Sequence, residues 1–235
     1  MMKRILLKLS GEAIKAQSQN NYDPDFMDML AQKIVGLTKE GIQVGIVVGW
    51  WNLYRWITGT EIGITRATGD SMGMVGTIMN WLAMADFLNQ RGGDAIVLSA
   101  IEIPRICGFF RRSAALHHFH QWRIVICVAG TGNPYFSTDT GAVQRALELE
   151  CDMIIKATKV DGIYDSDPAN NSQALKYPTI SHQQVIEDNL RIMDLTAVAM
   201  AKDNNLPMFV CKITDIARLA SQDLSFWTLV QSQII

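Results

Sequence analysis

Short apolar runs alternate along the chain with longer stretches of helical periodicity. Five runs are apolar and mostly β-branched, with Gly, Asp or Ser at their flanks: Arg4–Leu9, Val44–Val48, Ala95–Ser99, Ile124–Val128 and Met153–Ala157. Runs of this kind are typical of buried strands in a parallel sheet. Between them, Asp23–Lys39 and Met72–Leu88 predict long helices. The alternation predicts an α/β fold, with a mainly parallel central sheet and helices on both faces.

The first predicted helix has the clearest ends. Pro24 stands in its first turn and Gly41 comes two residues after its end, positions that suit these residue types. Its apolar residues recur at helical spacing, namely Phe26, Met29, Leu30, Ile34 and Leu37. No linker-like or repeated segment interrupts the 235 residues, so we predict one domain that covers residues 1–235.

The composition is that of an ordinary globular protein, with 49% hydrophobic and 19% charged residues. A formal net charge of −2 gives no general attraction to nucleic acid or to anionic lipid, and we predict neither partner. No run approaches the roughly 20 apolar residues that span a bilayer. Lys8 interrupts the opening apolar run too early for a secretory signal, so we expect a cytoplasmic protein.

The cysteines and histidines do not form a recognisable metal motif. Cys107, Cys127, Cys151 and Cys211 contain no C-x-x-C pair and are expected to be buried apolar residues in a reducing compartment. His117, His118 and His120 are the nearest approach to a metal cluster, but they lack Cys or carboxylate partners nearby. We therefore predict no protein metal site. The basic segment around these histidines is either a solvated helix end or a contact for a polyanion or effector.

Ligands of open α/β sheets bind beyond the carboxyl ends of the strands, and these loops carry unusual chemistry. Lys8, Ser10 and Gly11 follow the first strand and offer a cation, a hydroxyl and free backbone N–H groups. This set suits a phosphate, although a surface lysine would have the same local pattern. Arg55 follows the second strand, and its guanidinium could bind a phosphate through two hydrogen bonds.

Three further segments carry groups that could bind a ligand. Asp70 opens the second long helix and could either cap it or accept hydrogen bonds from a ribose diol. The segment Ala129–Thr140 is the richest, because it combines two glycines, four Ser/Thr hydroxyls, the Asn133 amide and the Asp139 carboxylate. The segment Lys156–Pro168 is either an ordinary turn or a site for adenine and ribose.

The loop sequences K-L-S-G-E, G-D-S-M-G-M, A-G-T-G-N-P-Y-F-S-T-D-T and K-A-T-K-V-D-G-I-Y-D-S-D-P occur in this order. With them the chain, from Lys3 to about Val230, resembles the amino acid kinase family, and T-G-N-P-Y-F resembles its uridylate kinase branch. The resemblance implies Mg²⁺-dependent phosphoryl transfer from ATP to UMP in a cytosolic homohexamer. It leaves two alternatives: a relative with another acceptor, and a nucleotide-binding pseudokinase.

The resemblance also implies roles for individual residues. Lys8 would stabilise charge on the transferred group, Asp139 would organise the lysines and Mg²⁺, and Asp194 would orient Lys8. The implied catalytic residues are Lys8, Arg55, Asp139 and Asp194. The implied ATP-binding residues are Lys8, Leu9, Ser10, Gly11, Trp51, Arg55, Thr158, Tyr164 and Asp167. The implied UMP-binding residues are Trp50, Asp70, Thr131, Gly132, Asn133, Pro134, Tyr135, Phe136, Ser137 and Thr138.

The tryptophans depart from the family pattern, because all six fall where the family usually has glycine: Trp50, Trp51, Trp56, Trp81, Trp122 and Trp227. Some bacteria decode UGA as glycine, and a codon table that assigns UGA to tryptophan would give this pattern. We interpret the six residues in this way; a degenerate homologue is the alternative. We expect Trp50 and Trp51 beside the phosphate cleft, and several indoles without a partner for the N–H.

Overall fold

The computed structural model describes residues 2–9, 22–49, 63–166, 168, 170–221, 224 and 226–232. The described helices are α1 (Pro24–Lys39), α2 (Arg66–Gln90), α3 (Arg112–His120), α4 (Thr138–Glu148), α5 (His182–Glu187), α6 (Leu195–Asp203) and a 3₁₀ helix (Ile213–Ser221). The described strands are β1 (Arg4–Leu9), β2 (Gln43–Val48), β3 (Ala95–Ser99), β4 (Gly108–Phe109), β5 (Ile124–Val128), β6 (Met153–Thr158), β7 (Ile163–Tyr164), β8 (Lys176–Tyr177), β9 (Thr179–Ser181), β10 (Met208–Lys212) and β11 (Thr228–Gln231).

A nine-stranded sheet runs through the centre of the described structure in the order β4-β3-β5-β2-β1-β6-β10-β11-β9. Its neighbouring strands pair in parallel, except that β10 and β11 are antiparallel. Strands β7 and β8 form a separate antiparallel pair. The strands β1, β2, β5 and β6 lie side by side at the middle, so the loops after them meet at one edge.

Alternating side chains divide the core into two layers, one on each face of the sheet. In β1, Ile5, Leu7 and Leu9 belong to one apolar cluster, whereas Leu6 belongs to the other. Helices α1 and α2 pack on the first cluster, and α4 and α6 pack on the second. This two-sided burial explains why the strand sequences are mostly apolar rather than alternating, and it confirms the predicted fold class.

The five predicted strands and both predicted helices are present, with one important difference in the second helix. Helix α2 begins at Arg66, six residues before the predicted start at Met72, and Thr65 is its N-cap. The Thr65 hydroxyl oxygen accepts a 3.3 Å hydrogen bond from the backbone N–H of Thr68. The interpretation of Asp70 as a helix cap was therefore wrong, because Asp70 lies in the second turn and can serve another role.

The three described tryptophans each carry one unfavourable feature. Trp122 has a φ of 60° and is 54% exposed. Trp81 and Trp227 are buried in the core, yet neither indole N–H has a hydrogen-bond partner among the described residues, which is unusual for a buried tryptophan. Trp50, Trp51 and Trp56 lie outside the described residues, so their predicted position beside the phosphate cleft stays a prediction.

None of the helices in the described parts of the chain is both long enough and apolar enough to cross a membrane.

Candidate active site

Two lysines and one aspartate form a buried charged cluster at the carboxyl edge of the sheet. Lys8 in β1 and Lys156 in β6 are directly paired across these adjacent parallel strands. The Lys8 Nζ lies 2.6 Å from Asp139 Oδ1, and the Lys156 Nζ lies 3.3 Å from Asp139 Oδ2. The first contact is an ion pair rather than a well-aligned hydrogen bond. One carboxylate thus bridges two ammonium groups, and the cluster has a net charge of +1.

Burial and the neighbouring charges together set the ionisation of this cluster. Burial opposes ionisation of Asp139, but the ammonium groups of Lys8 and Lys156 outweigh it and hold the pKa of Asp139 at about 2. Burial lowers the pKa of Lys156 to about 8, although the Asp139 carboxylate acts in the opposite direction. Lys156 also donates to the carbonyl oxygen of Ile192. Asp139 is therefore ionised at neutral pH, whereas Lys156 titrates close to it.

Asp194 joins the starts of two helices. It is the N-cap of α6 and accepts a 3.0 Å hydrogen bond from the backbone N–H of Ala197. The same carboxylate accepts from the hydroxyls of Ser137 and Thr140 at the start of α4. The contacts of Asp194 with described residues do not include Lys8; Asp139 contacts that lysine instead. The predicted role of Asp194 as the group that orients Lys8 can therefore be only indirect, through the start of α4.

The loop before α4 is held in an unusual backbone conformation. Ala129, Gly130, Gly132 and Tyr135 all have positive φ, between 55° and 81°. A Cβ atom on Gly132 would lie 3.0 Å from the carbonyl oxygen of Ala100, so this position needs glycine on two grounds. The backbone N–H of Ala129 donates to the hydroxyl of Thr77, a buried residue of α2. The loop is therefore anchored to α2 from its first residue.

A cleft lies between this loop and α2. Its walls combine carboxylate, hydroxyl and amide groups with apolar side chains, and its lining residues are Asp70, Met74, Thr77, Ala129, Gly130, Thr131, Asn133, Phe136 and Thr138. Five of these nine were predicted to bind UMP, and they come from two segments that are separate in sequence. The structure thus brings Asp70 together with the loop after β5.

The other predicted UMP residues occupy different places around this cleft. Ser137 is the N-cap of α4 and accepts from the backbone N–H of Asp139 and Thr140. The Tyr135 ring is mostly exposed, and its backbone N–H donates to Asp70 over 2.7 Å. Gly132 and Pro134 belong to the same loop but do not line the cleft. These four residues help to set the conformation of the loop, and none of them lines the cleft.

The predicted ATP residues are only partly described. Thr158 ends β6, two residues after Lys156, and its hydroxyl hydrogen-bonds within the turn to Val160. Tyr164 in β7 donates its hydroxyl to Asp161. The side chain of Leu9 is fully buried in the core, so only its backbone could meet a nucleotide. Ser10, Gly11, Trp51, Arg55 and Asp167 lie outside the described residues, as does Trp50 of the predicted UMP set.

Sequence reasoning missed Thr77 and gave Lys156 and Thr140 no role of their own. Lys156 lies within one of the family motifs, but its importance comes from the β1–β6 register that places it beside Lys8. Thr140 was counted among the hydroxyls of the segment Ala129–Thr140, whereas Thr77 lies inside a helix, where sequence alone gives no reason to select it. Among the described residues, no group of three or more His, Cys, Asp or Glu side chains could hold a metal ion.

The arrangement suits the binding of a highly charged anion. Two ammonium groups with one counter-ion retain a net positive charge, and the positive end of α4 begins beside them. Both lysines are largely withdrawn from solvent, so their attraction for phosphate oxygens is screened less than it would be at the surface. A polar cleft for a second molecule opens next to this cluster.

Comparisons with known proteins agree with this chemistry. The model of the amino acid kinase family matches residues 3–212. The chain is 43% identical to a uridylate kinase of Erythrobacter litoralis, over 93% of the chain and 92% of the relative. It is also 43% identical to a uridylate kinase of Campylobacter hominis, over 97% and 98%.

Solved structures give the same result. The fold is similar to that of UMP kinase from Bacillus anthracis, with a TM-score of 0.94, 32% identity, and coverage of 99% of this chain and 97% of that one. UMP kinase from Ureaplasma parvum gives a TM-score of 0.92 at 33% identity, with 99% and 100% coverage. The charged cluster, the cleft and these matches lead to one conclusion: the chain belongs to the amino acid kinase family.

Proposed function

We propose that this chain is a uridylate kinase, which transfers the γ-phosphoryl group of ATP to UMP and releases ADP and UDP. The observation that carries the proposal is the bridged pair Lys8–Asp139–Lys156 next to a cleft that contains Asp70 and the loop after β5. The cluster provides the charge that phosphoryl transfer requires, and the cleft provides hydroxyl, amide and carboxylate groups for a nucleotide acceptor.

The proposed mechanism is electrostatic. Phosphoryl transfer depends on positioning and on stabilisation of charge that spreads over the equatorial oxygens. Lys8 and Lys156 approach this centre from adjacent strands, and Arg55 is the third cation that we predict there. The acceptor phosphate of UMP is ionised near neutral pH and is itself the nucleophile, so the reaction needs no general base.

The two nucleotides are assigned to the two sides of the cluster. UMP would bind in the cleft between α2 and the loop Ala129–Ser137, where Asp70 would accept from the ribose hydroxyls. ATP would bind over the ends of β1 and β6, with Thr158 and Tyr164 toward its nucleoside. Ser10, Gly11, Trp50, Trp51, Arg55 and Asp167 keep their predicted contacts as part of this proposal.

Mg²⁺ is proposed to enter with ATP rather than to occupy a protein-made site. Mg²⁺ commonly takes most of its ligands from nucleotide phosphates and water and needs only one or two carboxylates. Asp139 is the carboxylate of the charged cluster, but its two oxygens already face Lys8 and Lys156. When bound, Mg²⁺ would neutralise part of the phosphate charge, and Asp139 would keep the lysines in place.

We also propose a homohexamer in the cytoplasm, where ATP and UMP are available for pyrimidine nucleotide synthesis. Support for self-association comes from α2, which exposes Met72, Val75, Met79 and Leu82 along one face. The helix contains no charged residue between Asp70 and Asp86. A helix face left in water is normally polar, so this apolar face is suited to contact a second copy of the chain.

An acceptor panel tests the proposed function. The purified chain is supplied with ATP, Mg²⁺ and one acceptor at a time: UMP, CMP, GMP, glutamate or carbamate. We expect UDP as the product and a kcat/KM for UMP about 10²-fold or more above that of the other acceptors. Equal or better use of a carboxylate or carbamate would contradict the proposal.

The tryptophans require a second enzyme preparation in the same assay. A variant that carries Trp50→Gly, Trp51→Gly and Trp56→Gly tests whether bulk at these positions blocks turnover. Activity of this variant supports the proposed function even if the unmodified chain is inactive. If neither protein phosphorylates UMP but both bind nucleotide, the pseudokinase alternative is favoured.

A further inference from the structure

Arg66, in the first turn of α2, contacts Asp70, which lines the cleft, and Tyr135, which belongs to the loop beside it. Its Nε donates to Oδ2 of Asp70, one helical turn further on, over 3.3 Å. Its guanidinium carbon also lies 5.5 Å from the centre of the Tyr135 ring, within the range of a cation–π contact. A single guanidinium therefore links the start of α2 to the loop after β5.

The two oxygens of Asp70 have different environments. Oδ2 accepts from Arg66 and also from the backbone N–H of Tyr135, the latter over 2.7 Å. Oδ1 receives no hydrogen bond from the described residues, although the Asp70 side chain is only 10% exposed and lines the cleft. The carboxylate is thus fixed through one oxygen, and its other oxygen remains available to a ligand in the cleft.

We propose that Arg66 is a positioning residue for the acceptor nucleotide: it holds Asp70 so that the carboxylate meets the ribose hydroxyls. This inference rests on the proposed binding of UMP in the cleft. Without Arg66, the Tyr135 amide would be the remaining donor to Asp70 among the described residues. The Asp70 carboxylate could then rotate. Ordering it on binding would offset part of the free energy of its hydrogen bonds to ribose, so UMP would bind more weakly.

Arg66 also stabilises the loop. Tyr135 has a φ of 71°, which is uncommon for a bulky residue and persists only where the surroundings enforce it. Arg66 acts on Tyr135 from two directions: through the ring, and through Asp70, which accepts from its backbone N–H. Loss of the arginine should therefore loosen the amide of Tyr135 as well as the carboxylate of Asp70.

If Arg66 had a purely structural role, its replacement would lower the free energy of unfolding and leave the recognition of ribose unchanged. The Arg66 side chain is 41% exposed, and a solvent-exposed ion pair between residues one helical turn apart contributes little to stability. The free energy of unfolding should therefore change little when Arg66 is replaced. The expected change is in acceptor binding, and above all in the ability to recognise the ribose hydroxyls.

The test measures the affinity of Arg66→Gln for UMP, for 2′,3′-dideoxy-UMP and for ATP by calorimetry. We expect UMP binding to weaken about tenfold, within the coupling range of contacting residues. Affinity for ATP should change less than about twofold. Affinity for dideoxy-UMP should fall less than affinity for UMP, because dideoxy-UMP does not use the Asp70–ribose contact. Arg91→Gln is the matched control, since Arg91 is a similarly exposed arginine that pairs with Asp28 away from the cleft.

Two further measurements separate this inference from the proposed function. In an Asp70→Asn background, Arg66→Gln should cause a much smaller loss of UMP affinity than in the unmodified chain, because the carboxylate it positions is already gone and only its contact with the Tyr135 ring remains. In the ligand-free protein, Arg66→Gln should accelerate hydrogen exchange at the Tyr135 amide, whereas Arg91→Gln should not.

If the unmodified chain binds UMP and Arg66→Gln binds it equally well, the positioning role is overturned and the kinase proposal stands. The positioning role is also overturned if UMP and dideoxy-UMP lose affinity equally. If neither the unmodified chain nor the variant that carries Trp50→Gly, Trp51→Gly and Trp56→Gly binds UMP, the proposed function fails and the positioning role fails with it; the exchange rate at Tyr135 then still shows whether the contact orders the loop.

Discussion

Lys8 and Lys156 occupy paired positions on two adjacent parallel strands, and the carboxylate of Asp139 lies between their ammonium groups. Two like charges on neighbouring strands would repel one another in a buried site. Asp139 offsets this repulsion, and it does so from the first turn of a helix whose positive end faces the same region. The cluster is therefore stable when empty and remains attractive to phosphate.

The first prediction concerns Lys8. If its ammonium group stabilises developing charge, Lys8→Ala should lower kcat by about 10²-fold or more, the scale of one lost electrostatic stabiliser. The fold should persist, because Asp139 keeps Lys156 as a partner. Lys33→Ala is the control: this partly buried lysine of α1 donates to the carbonyl oxygen of Thr214, and α1 packs on the face of the sheet opposite to α4. Near-normal turnover of Lys8→Ala would rule out the role.

The second prediction concerns pH and Lys156. Because burial lowers the pKa of Lys156 to about 8, its charge is present below this pH and is lost above it. The kcat/KM for nucleotide should therefore decline as pH rises through about 8, since this parameter reports groups of the free enzyme. Phosphates bound nearby favour the charged lysine, so the decline in kcat should begin at higher pH.

Lys156→Arg checks this assignment, because arginine stays protonated throughout the measured range. The decline in kcat/KM near pH 8 should disappear in this variant, whatever its absolute rate. A decline that persists unchanged would assign the titration to another group.

The third prediction separates recognition from helix capping. Asp70→Asn should raise the KM for UMP and leave the KM for ATP nearly unchanged, because one carboxylate oxygen of Asp70 is available to the cleft. Thr65→Ala should instead lower the free energy of unfolding by about 1 kcal/mol, the usual value of an N-cap, without a change in the KM for UMP. An unaltered KM for UMP in Asp70→Asn would exclude the ribose contact.

The fourth prediction concerns the tryptophans. We expect UGA codons at all six positions and ordinary GGN codons at Gly130 and Gly132. Trp122→Gly should raise the free energy of unfolding by about 1 kcal/mol, because the left-handed conformation at this exposed residue strains a bulky side chain and suits glycine. Sequencing of the gene and thermal unfolding of the variant test the two parts separately. UGG codons would establish the tryptophans as native.

The fifth prediction concerns assembly. Met79→Glu places a charge in the middle of the apolar face of α2 and should lower the oligomeric state measured by light scattering. Asp86→Lys is the control, since it changes charge at an already exposed polar position of the same helix. An unmodified chain that is monomeric at assay concentration would contradict the homohexamer.

The sequence predicts some features of this fold well and others poorly, for physical reasons. Strands β1, β3 and β5 have the predicted bounds, because burial on both faces makes them mostly apolar. Strands β7 and β8 contain two residues each, too few for any periodicity. The start of α2 was missed because its first turn, Arg66–Gly69, is polar or small and carries no apolar pattern.

The residues of the site were also predicted only in part. Asp70 and Thr131 were predicted from local chemistry and line the cleft together. Lys156 and Arg66 were not selected, because their roles depend on strand register and on contacts that cross between α2 and a distant loop. For Asp194, the sequence could not reveal that its partners are Ser137 and Thr140, more than 50 residues earlier.

The shared cap at Asp194 has a consequence for cooperativity. Ser137 is the N-cap of α4 and donates its hydroxyl to Asp194, which in turn caps α6, although the two residues are 57 positions apart. Neither helix can fray at its start without removing the hydrogen-bond partner of the other. The two helix starts, and with them the bridging carboxylate of Asp139, should therefore open as a single unit in native-state hydrogen exchange.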